Sequence, residues 1–488
     1  MTSAMLFMLL PLILVTATAV VTMLMVAIKR RHGVSCIVTV LGLSLALVSL
    51  YFVLPSSTQE LTPLMKIDGF SVFFSAVILL SAIMIACFSY PYFVNLEDHQ
   101  DEFYILLSVA VLGALVMVSN SHFITTFLGM ETLSVCLYGM VAYPLHRSAA
   151  AQYPMEASIK YLVLSALSSG FVLFGIALLY AQTGTLQFTD LGQALTYGIG
   201  PVPPVYFVLC CLMIVTGFAF KLSLVPFHLW TPDVYEGAPL PATAFLATVG
   251  KIAMAALLMR FISDSALLVN EAIVFVLALI AGASMLFGNL LALLQSNLKR
   301  LLSYSSIAHM GYLVIALMTV DRSADSLGVE AVSFYLLAYA LMSLGAFGVM
   351  MLVSDSEQER DHIGHYQGLF WRNPWLALVM TAMLFSLAGI PLTIGFLGKF
   401  YIFAAGVQGA QWALLFTMVV GSGVGLFYYL RIVYGMLTPL DEDLLLPVAG
   451  LKELLPHCLL FLLLALLLLL GIVPGVLMQW LAQMASAL

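Results

Sequence analysis

Charge is what this sequence has least of. Of its 488 residues, 8% are charged and 63% are hydrophobic, with a mean hydropathy of +1.10, whereas a soluble domain carries about 25% charged residues. A surface so poor in charge excludes a soluble enzyme, a nucleic-acid binder and a secreted disulfide scaffold. Continuous hydrophobic stretches also exclude an outer-membrane barrel, whose strands alternate polar and apolar residues. The composition therefore predicts a polytopic helical membrane protein.

Cysteines and nucleotide-binding motifs are also scarce. None of the six cysteines belongs to a C-x-x-C pair or a His/Cys cluster, so we interpret them as apolar packing residues and expect no metal site; they are Cys36, Cys87, Cys136, Cys210, Cys211 and Cys458. The sequence has no G-x-G-x-x-G fingerprint and no P-loop, so we expect no nucleotide site.

About fourteen segments are long and apolar enough to span a bilayer. Lys29, Arg30 and Arg31 follow the first segment, whereas a cleavable signal has its basic residues before the apolar stretch. We therefore expect an uncleaved first helix with its N-terminus outside. The predicted spans are 1–28, 35–54, 71–93, 103–119, 121–143, 155–181, 205–225, 240–262, 268–290, 298–319, 327–353, 374–405, 411–437 and 455–484.

The basic residues between spans support this topology. Nine would lie in cytoplasmic loops and three outside, which agrees with the positive-inside rule and predicts that both termini are outside. The cytoplasmic set is Lys29, Arg30, Arg31, Arg147, Lys299, Arg300, Arg360, Arg372 and Lys452, and the outer set is Lys66, Arg260 and Arg322.

Six charged residues lie away from the ends of the predicted spans. A charge at the bilayer centre costs about 2.5–3.5 kcal/mol even on the lenient insertion scale, so such residues face the protein interior or water. Removal from water disfavours the charged form of a lysine, as a proton carrier requires. We predict a proton path through Glu131, Lys221, Lys251 and Lys399. The alternative for these residues is a set of structural buried ion pairs.

The other two intramembrane cations have simpler interpretations. Lys160 lies six residues into its helix and can reach the interface, with Glu156 one turn away; a functional role stays equally open. Arg431 keeps its proton at any ordinary pH, so we expect a structural or field-setting role.

Two histidines, His228 and His309, lie within or beside spans. His309 stands in LKRLLSYSSIAHMGY, where neighbouring hydroxyls could order a water wire around it. The alternative is that each histidine is a hydrogen-bonded packing residue.

Two predicted helices are interrupted beside their lysines. Lys221 precedes Pro226 by five residues, and Lys399 follows Pro391 by eight. A proline gap at membrane depth is tolerated where it is buried or faces water. The two blocks lie five spans apart in reversed order, which predicts two inverted five-helix repeats, spans 4–8 and 9–13, with helices 7 and 12 broken. We expect three helices in 1–100, the repeats in 101–265 and 266–440, and a last helix in 441–488.

Four motifs resemble the antiporter-like subunits of respiratory complex I, a family that includes subunits of cation/proton antiporters and membrane-bound hydrogenases. They are FLGMETLSVCLYGM (127–140), GFAFKLSLVPFHLWTPDVYEGAPLPATAFLATVGK (217–251), LKRLLSYSSIAHMGY (298–312) and SLAGIPLTIGFLGKF (386–400). The likeness covers essentially the whole chain and is greatest to N-type subunits of bacterial NADH–quinone oxidoreductase. L-type subunits continue beyond span 14, and M-type subunits usually carry glutamate in place of Lys399.

The resemblance implies a role for each residue of the path. Glu131 would pair with Lys221, Lys251 would connect, and Lys399 would be the exit lysine. His309 and the pair Tyr428–Tyr429 would line the central axis. His228 and Lys160 are further candidates for the proton path.

The resemblance also implies a multi-pass subunit of the bacterial inner membrane. It would move protons outward while other subunits hold the flavin, the iron–sulfur clusters and the quinone. Its partners would be other membrane subunits and lipid, with no cofactor of its own and no nucleic acid. The alternatives are a subunit of a sodium/proton antiporter or membrane-bound hydrogenase, and a membrane scaffold whose charges are structural.

Overall fold

The computed structural model describes residues 3–54, 58–94, 100–143, 152–197, 204–265, 267–320, 327–354, 359–439 and 454–485. Within these ranges, ten helices are long and apolar enough to cross a membrane, and shorter apolar helices accompany them. Helices satisfy their own backbone hydrogen bonds, as lipid demands. The chain is therefore a polytopic all-α membrane protein, as the composition predicts.

The helices of the first half are α1 (Ser3–Met8), α2 (Leu10–Ile28), α3 (His32–Val53), α4 (Gly69–Phe93), α5 (Glu102–Val118), α6 (Phe123–Ala142), α7 (Gln152–Thr183), α8 (Phe188–Tyr197), α9 (Pro204–Lys221), α10 (Trp230–Gly237), α11 (Leu240–Phe245) and α12 (Lys251–Ser265). Those of the second half are α13 (Glu271–Leu293), α14 (Leu298–Leu317), α15 (Gly328–Val353), α16 (Leu369–Arg372), α17 (Pro374–Ala388), α18 (Ile394–Gln408), α19 (Trp412–Leu437), α20 (Leu454–Ile472) and α21 (Gly475–Ala485). A π-helical turn, Leu246–Gly250, joins α11 to α12, and 3₁₀ turns occupy Leu267–Val269 and Ile363–Tyr366.

Each of the fourteen predicted spans coincides with a helix or with consecutive helix pieces. The seventh helix ends at Lys221 rather than at 225, and the twelfth is split into α17 and α18. The last predicted span ends early at Ile472 and resumes as α21, because Pro474 cannot continue the backbone ladder. The structure adds an antiparallel hairpin that the sequence did not predict, formed by β1 (Thr58–Thr62) and β2 (Met65–Asp68).

The two five-helix groups pack in the same order. In the first group α5 packs on α6 and α7 on α9, while in the second α13 packs on α14 and α15 on α17 and α18. Both leading pairs cross at glycine: a Cβ on Gly113 or Gly288 would lie 2.7 Å from a backbone nitrogen of the partner helix. α5 ends beside Arg260, which bonds the Val118 carbonyl, and α13 starts shortly after Arg260. These leading helices therefore run in opposite directions, as an inverted repeat requires.

Three membrane helices form the centre of the bundle. The most apolar segments of α4, α11–α12 and α15 are 83%, 94% and 89% buried, whereas those of α2 and α20 are 28% buried. The peripheral helices therefore present apolar side chains to lipid. Lys251, at the start of α12, lies in the central layer and is 1% exposed.

A buried ion pair fixes one end of the central layer. Arg260 on α12 donates two 2.8 Å hydrogen bonds to Asp68, and its guanidinium lies 4.6 Å from the Phe70 ring centroid. Asp68 also caps α4 by accepting the Ser71 amide at 2.9 Å. The sequence predicts Arg260 at a loop edge, which is wrong: the arginine is fully buried within α12 because Asp68 neutralises it there.

A second buried ion pair fixes the opposite end. Lys299, in the first turn of α14, lies 2.6 Å from Glu359 and donates to the Ala238 carbonyl at 2.8 Å. Glu359 also accepts hydrogen bonds from the Leu240 amide and the Tyr92 hydroxyl. Lys299 was predicted in a loop, but it is 1% exposed because the segment bearing Glu359 covers it. Arg147, Arg322 and Lys452 lie outside the described residues.

We expect Asp68→Asn to destabilise the fold. Removing the carboxylate leaves the buried Arg260 unpaired, which costs about 3–5 kcal/mol. Lys66→Ala is the matched control, because Lys66 lies 3.6 Å from Asp68 with a partly exposed side chain, and exposed pairs contribute about 0–1 kcal/mol. The measurement is the thermal midpoint of the detergent-purified protein; equal midpoints for the two variants would contradict this role.

Candidate functional site

The first helix break places Lys221 at the carboxyl end of α9. Beyond it the chain turns through Ser223, whose φ is +63°, before α10 begins at Trp230. The Phe220 carbonyl accepts both the Ser223 amide and the Trp230 indole, at 2.9 and 3.0 Å, and the Val225 amide donates to Ser284 on α13 at 2.9 Å. These backbone groups at the break are thus satisfied inside the protein, as membrane depth requires.

Lys221 donates to two serine hydroxyls, Ser134 on α6 and Ser165 on α7, each at 2.6 Å. Glu131 accepts a hydrogen bond from Ser169, one turn beyond Ser165 on α7. No direct ion pair joins Glu131 to Lys221; their hydroxyl partners, Ser169 and Ser165, lie one turn apart on α7. The pairing that the resemblance implies is therefore indirect, through the serine-bearing face of α7.

Lys251 follows the π-helical turn of the eighth membrane helix. Such turns are frequent at functional sites because they shift side chains out of the regular helical register. The Lys251 ammonium donates to Ser306 on α14 at 2.5 Å, and Ser306 also accepts from Tyr339 on α15 at 2.6 Å.

A small cavity borders Lys221. Its lining includes Ser134, Tyr161 and Lys221, together with Leu246 and Gly250 of the π-helical turn that precedes Lys251. Most of the lining is apolar, so transfer from Lys221 towards Lys251 would need water to enter this cavity.

His309 lies at the centre of the next hydrogen-bonded cluster. Its Nδ1 lies 2.6 Å from the Tyr335 hydroxyl and its Nε2 3.3 Å from the Tyr429 hydroxyl. Tyr429 also bonds Ser305, and its ring centroid lies 4.5 Å from that of Tyr428. His309 is therefore a fully partnered centre between Lys251 and the tyrosines of α19.

The second break places Lys399 against the carboxyl end of α17. Gly389 ends α17 with φ +87°, and Leu392 follows at +72°. Lys399, on α18, reaches back to the Ala388 carbonyl at 2.8 Å and to Ser422 at 2.9 Å. Its ammonium also lies 5.5 Å from the Tyr312 ring centroid. The Lys399 ammonium thus lies at the carboxyl end of a half-helix, where the helix dipole favours a cation.

Lys160 lies in a partly exposed charge network. Its side chain is 42% exposed and lies 2.7 Å from Glu156 and 3.0 Å from Asp233. Asp233 also pairs with Arg300, which lies 2.7 Å from Glu236. This network joins α7, α10 and α14 at the Lys299 end of the bundle and supports the interfacial interpretation of Lys160.

The two remaining sequence candidates differ in their surroundings. His228 is 7% exposed, and neither of its ring nitrogens has a protein hydrogen-bond partner. Arg431 donates to the Leu293 and Gln295 carbonyls at 3.1 and 2.6 Å. It therefore caps the carboxyl end of α13, a structural role that agrees with its sequence interpretation.

The structure brings Lys251, His309, Tyr428 and Lys399 to one connected polar region, with Glu131 and Lys221 across the cavity. The sequence reasoning named Ser306 among the hydroxyls near His309 but missed Tyr335, Tyr339 and Asn289. Tyr335, Tyr339 and Ser343 recur every four residues on α15, and this polar stripe on an otherwise apolar helix could have signalled a buried polar face.

Comparisons with known proteins identify the family and the fold. The family model described as NADH:quinone oxidoreductase/Mrp antiporter, transmembrane, matches residues 119–425. A chain of respiratory complex I from Thermus thermophilus is 31% identical with a TM-score of 0.81, over 96% of this chain and 98% of that one. A chain of an archaeal membrane-bound sulfane sulfur reductase is 25% identical with a TM-score of 0.80, over 99% and 97%. A chain of the Mrp complex from Dietzia sp. DQ12-45-1b shares the fold at 19% identity and a TM-score of 0.83, over 100% and 97%.

Fold and site together define a membrane antiporter-like subunit of the type found in multisubunit complexes. The chain belongs to the NADH:quinone oxidoreductase/Mrp antiporter transmembrane family.

We expect Gly389→Ala to reduce ion translocation per assembled complex. An added Cβ would lie 3.0 Å from Lys399 Cδ and 3.2 Å from its Nζ, and the left-handed backbone adds roughly 1–2 kcal/mol of strain. Gly423→Ala is the matched control, because no atom lies within 4 Å of its Cβ position. Proton transport into inverted vesicles, normalised to assembled complex, is the measurement. Equal transport by the two variants would show that Lys399 does not need close contact with the backbone at Gly389.

Proposed function

We propose that this chain is a proton-translocating membrane subunit of a bacterial NADH:quinone oxidoreductase, of the N type. The observation that carries the proposal is that Lys221, Lys251 and Lys399 have neutral hydrogen-bond partners, namely serine hydroxyls and one backbone carbonyl. No ion pair joins them to a carboxylate of the described residues. Neutral partners can accommodate a lysine in both its charged and uncharged states, as a proton carrier requires.

The same bundle contains structural cations for comparison. Arg260 and Lys299 are as deeply buried as Lys251, and each contacts a carboxylate, at 2.8 and 2.6 Å respectively. A buried cation that stays charged needs such a partner. This contrast argues against a scaffold in which all intramembrane charges are structural.

The proposed route begins at Glu131 and Lys221. A carboxylate near a lysine favours its charged form, so a weaker influence from Glu131 would release the Lys221 proton. The proton crosses the cavity to Lys251, continues past Ser306 and His309 and reaches Lys399. Each transfer leaves a neutral amine that can be reloaded from the preceding group.

This chain would move protons without performing redox chemistry. We propose that flavin, iron–sulfur clusters and quinone belong to other subunits, which drive the lysine charges through membrane contacts. The chain would lie in the bacterial inner membrane with both termini in the periplasm. The Lys299 end, where Arg300 also lies, would then face the cytoplasm, because cationic ends of membrane helices are retained there.

The second candidate is a subunit of an Mrp-type antiporter or of another respiratory membrane complex. Lys399 favours the N-type assignment over the M type, which usually carries glutamate there. The identity of 31% to a complex I chain, against 19% to an Mrp chain, supports complex I. Neighbouring genes discriminate: genes for peripheral NADH-oxidising subunits favour the first, and those for short antiporter subunits the second.

The proposal predicts that Lys399→Ala impairs proton pumping much more than Lys160→Ala. Lys399 is 9% exposed and has neutral partners, whereas the Lys160 side chain is 42% exposed and lies in an ion-pair network. The measurement is NADH-driven proton uptake into inverted vesicles, normalised to assembled complex.

The Lys160→Ala variant controls for loss of a lysine from the same chain. If it were the more damaging substitution, protons would be loaded through α7 and the exit role of Lys399 would be wrong. If assembled Lys399→Ala pumped normally, the proton-relay function would fail.

A further inference from the structure

Asn289 links Tyr428, whose ring packs against Tyr429 of the His309 cluster, to Tyr312, whose ring centroid lies 5.5 Å from the Lys399 ammonium. Its side-chain oxygen accepts from the Tyr428 hydroxyl at 3.1 Å, and its nitrogen donates to the Tyr312 hydroxyl at 2.8 Å and to the Met285 carbonyl at 2.7 Å. The residue is 2% exposed. The Met285 carbonyl can only accept a hydrogen bond, so the amide nitrogen must face it and the amide oxygen must face Tyr428.

Two glycines on α19, Gly421 and Gly425, leave room for this amide. A Cβ at Gly421 would lie 2.8 Å from the Asn289 nitrogen and 3.1 Å from the Tyr312 hydroxyl, and a Cβ at Gly425 would lie 3.4 Å from the Asn289 oxygen. The two glycines lie one turn apart on the face that also carries Tyr428. A larger residue at Gly421 would therefore displace the amide from its partners.

The amide differs chemically from its neighbours in the connection. Histidine, tyrosine and lysine can take up one proton and release another, and hydroxyls can pass a proton by exchanging hydrogen bonds. A carboxamide donates and accepts hydrogen bonds but does not gain and lose protons at ordinary pH. Hydrogen bonds therefore run without a gap from Tyr428 through Asn289 to Tyr312, but the amide cannot pass a proton along them.

We propose that Asn289 is an insulating, positioning residue that orients Tyr428 and Tyr312 while preventing direct proton transfer between the His309 cluster and Lys399. The proposal rests on the proton-translocating function proposed above. Protons would pass Asn289 only when water provides a parallel route. Backflow from Lys399 is then suppressed while that water is absent.

Asn289→Asp tests the insulating role with almost no change of shape. A protonated carboxyl group can receive a proton from Tyr312 at one oxygen while its own proton leaves from the other towards Tyr428. Tyr312 is reprotonated from Lys399 and Tyr428 passes its proton on to the His309 cluster, so the carboxyl group and both tyrosines end with as many protons as they began with. We expect a several-fold faster decay of the pH gradient across inverted vesicles after NADH is exhausted, compared at equal amounts of assembled complex. Asn289→Leu removes the same hydrogen bonds without adding a relay, and should show no faster decay but weaker pumping.

Two controls isolate the effect. Asn120→Asp places a carboxyl group at another fully buried asparagine, bonded to Thr126 and away from the proposed route, and should not accelerate the decay. Combining Asn289→Asp with Lys399→Ala should return the decay to the wild-type rate, because the leak would pass through Lys399.

The inference is overturned if assembled Asn289→Asp vesicles hold their gradient as wild type does. Equal leaks in Asn289→Leu or Asn120→Asp, or a leak that persists in the double variant, would also overturn it. The proposed function is judged separately by pumping in the Lys399→Ala single variant. If Asn289→Asp vesicles hold their pH gradient and the separate Lys399→Ala variant pumps poorly, the insulating role is rejected and the proton relay stands.

Discussion

The contact between a buried lysine ammonium and uncharged oxygen acceptors beside a helix break is the interaction on which the rest of the site depends. Breaking a helix inside a membrane frees backbone carbonyls, and a buried lysine needs hydrogen-bond acceptors. Lys399 bonds the Ala388 carbonyl at the end of α17, whereas Lys221, the last residue of α9, donates to serines of α6 and α7. Because these acceptors are neutral, they can accommodate each lysine in either its charged or its uncharged form.

The distribution of carboxylates distinguishes buried cations held in ion pairs from buried lysines whose partners are neutral. Asp68–Arg260 and Glu359–Lys299 hold opposite ends of the central helices with direct ion pairs. Between those ends, lysines, tyrosines and His309 are joined through hydroxyls. Rigid ends would allow small changes of charge and hydration in the middle without loss of the fold, as the proposed proton-translocating function requires.

Much of this arrangement follows from local sequence. Fourteen apolar segments, the breaks near Pro226 and Pro391, and the lysines beside them depend on neighbouring residues, so the pattern predicts them directly. The long-range partners could not be derived in this way. Arg260 meets a residue 192 positions earlier, and Tyr428 meets one 139 positions earlier. The interfacial interpretation of Lys160 was available because Glu156 lies one turn away, whereas its contact with Asp233 depends on the packing of α10 against α7.

Substitution of Lys251 is the most direct test of whether a buried lysine is a carrier. The residue is 1% exposed and donates to Ser306, and an arginine there would keep its charge at any physiological pH. NADH-driven proton uptake, normalised to assembled complex, should be impaired in Lys251→Arg about as strongly as in Lys251→Ala. Wild-type pumping by the arginine variant would show that Lys251 is a fixed charge, and the relay through the central helix would be wrong.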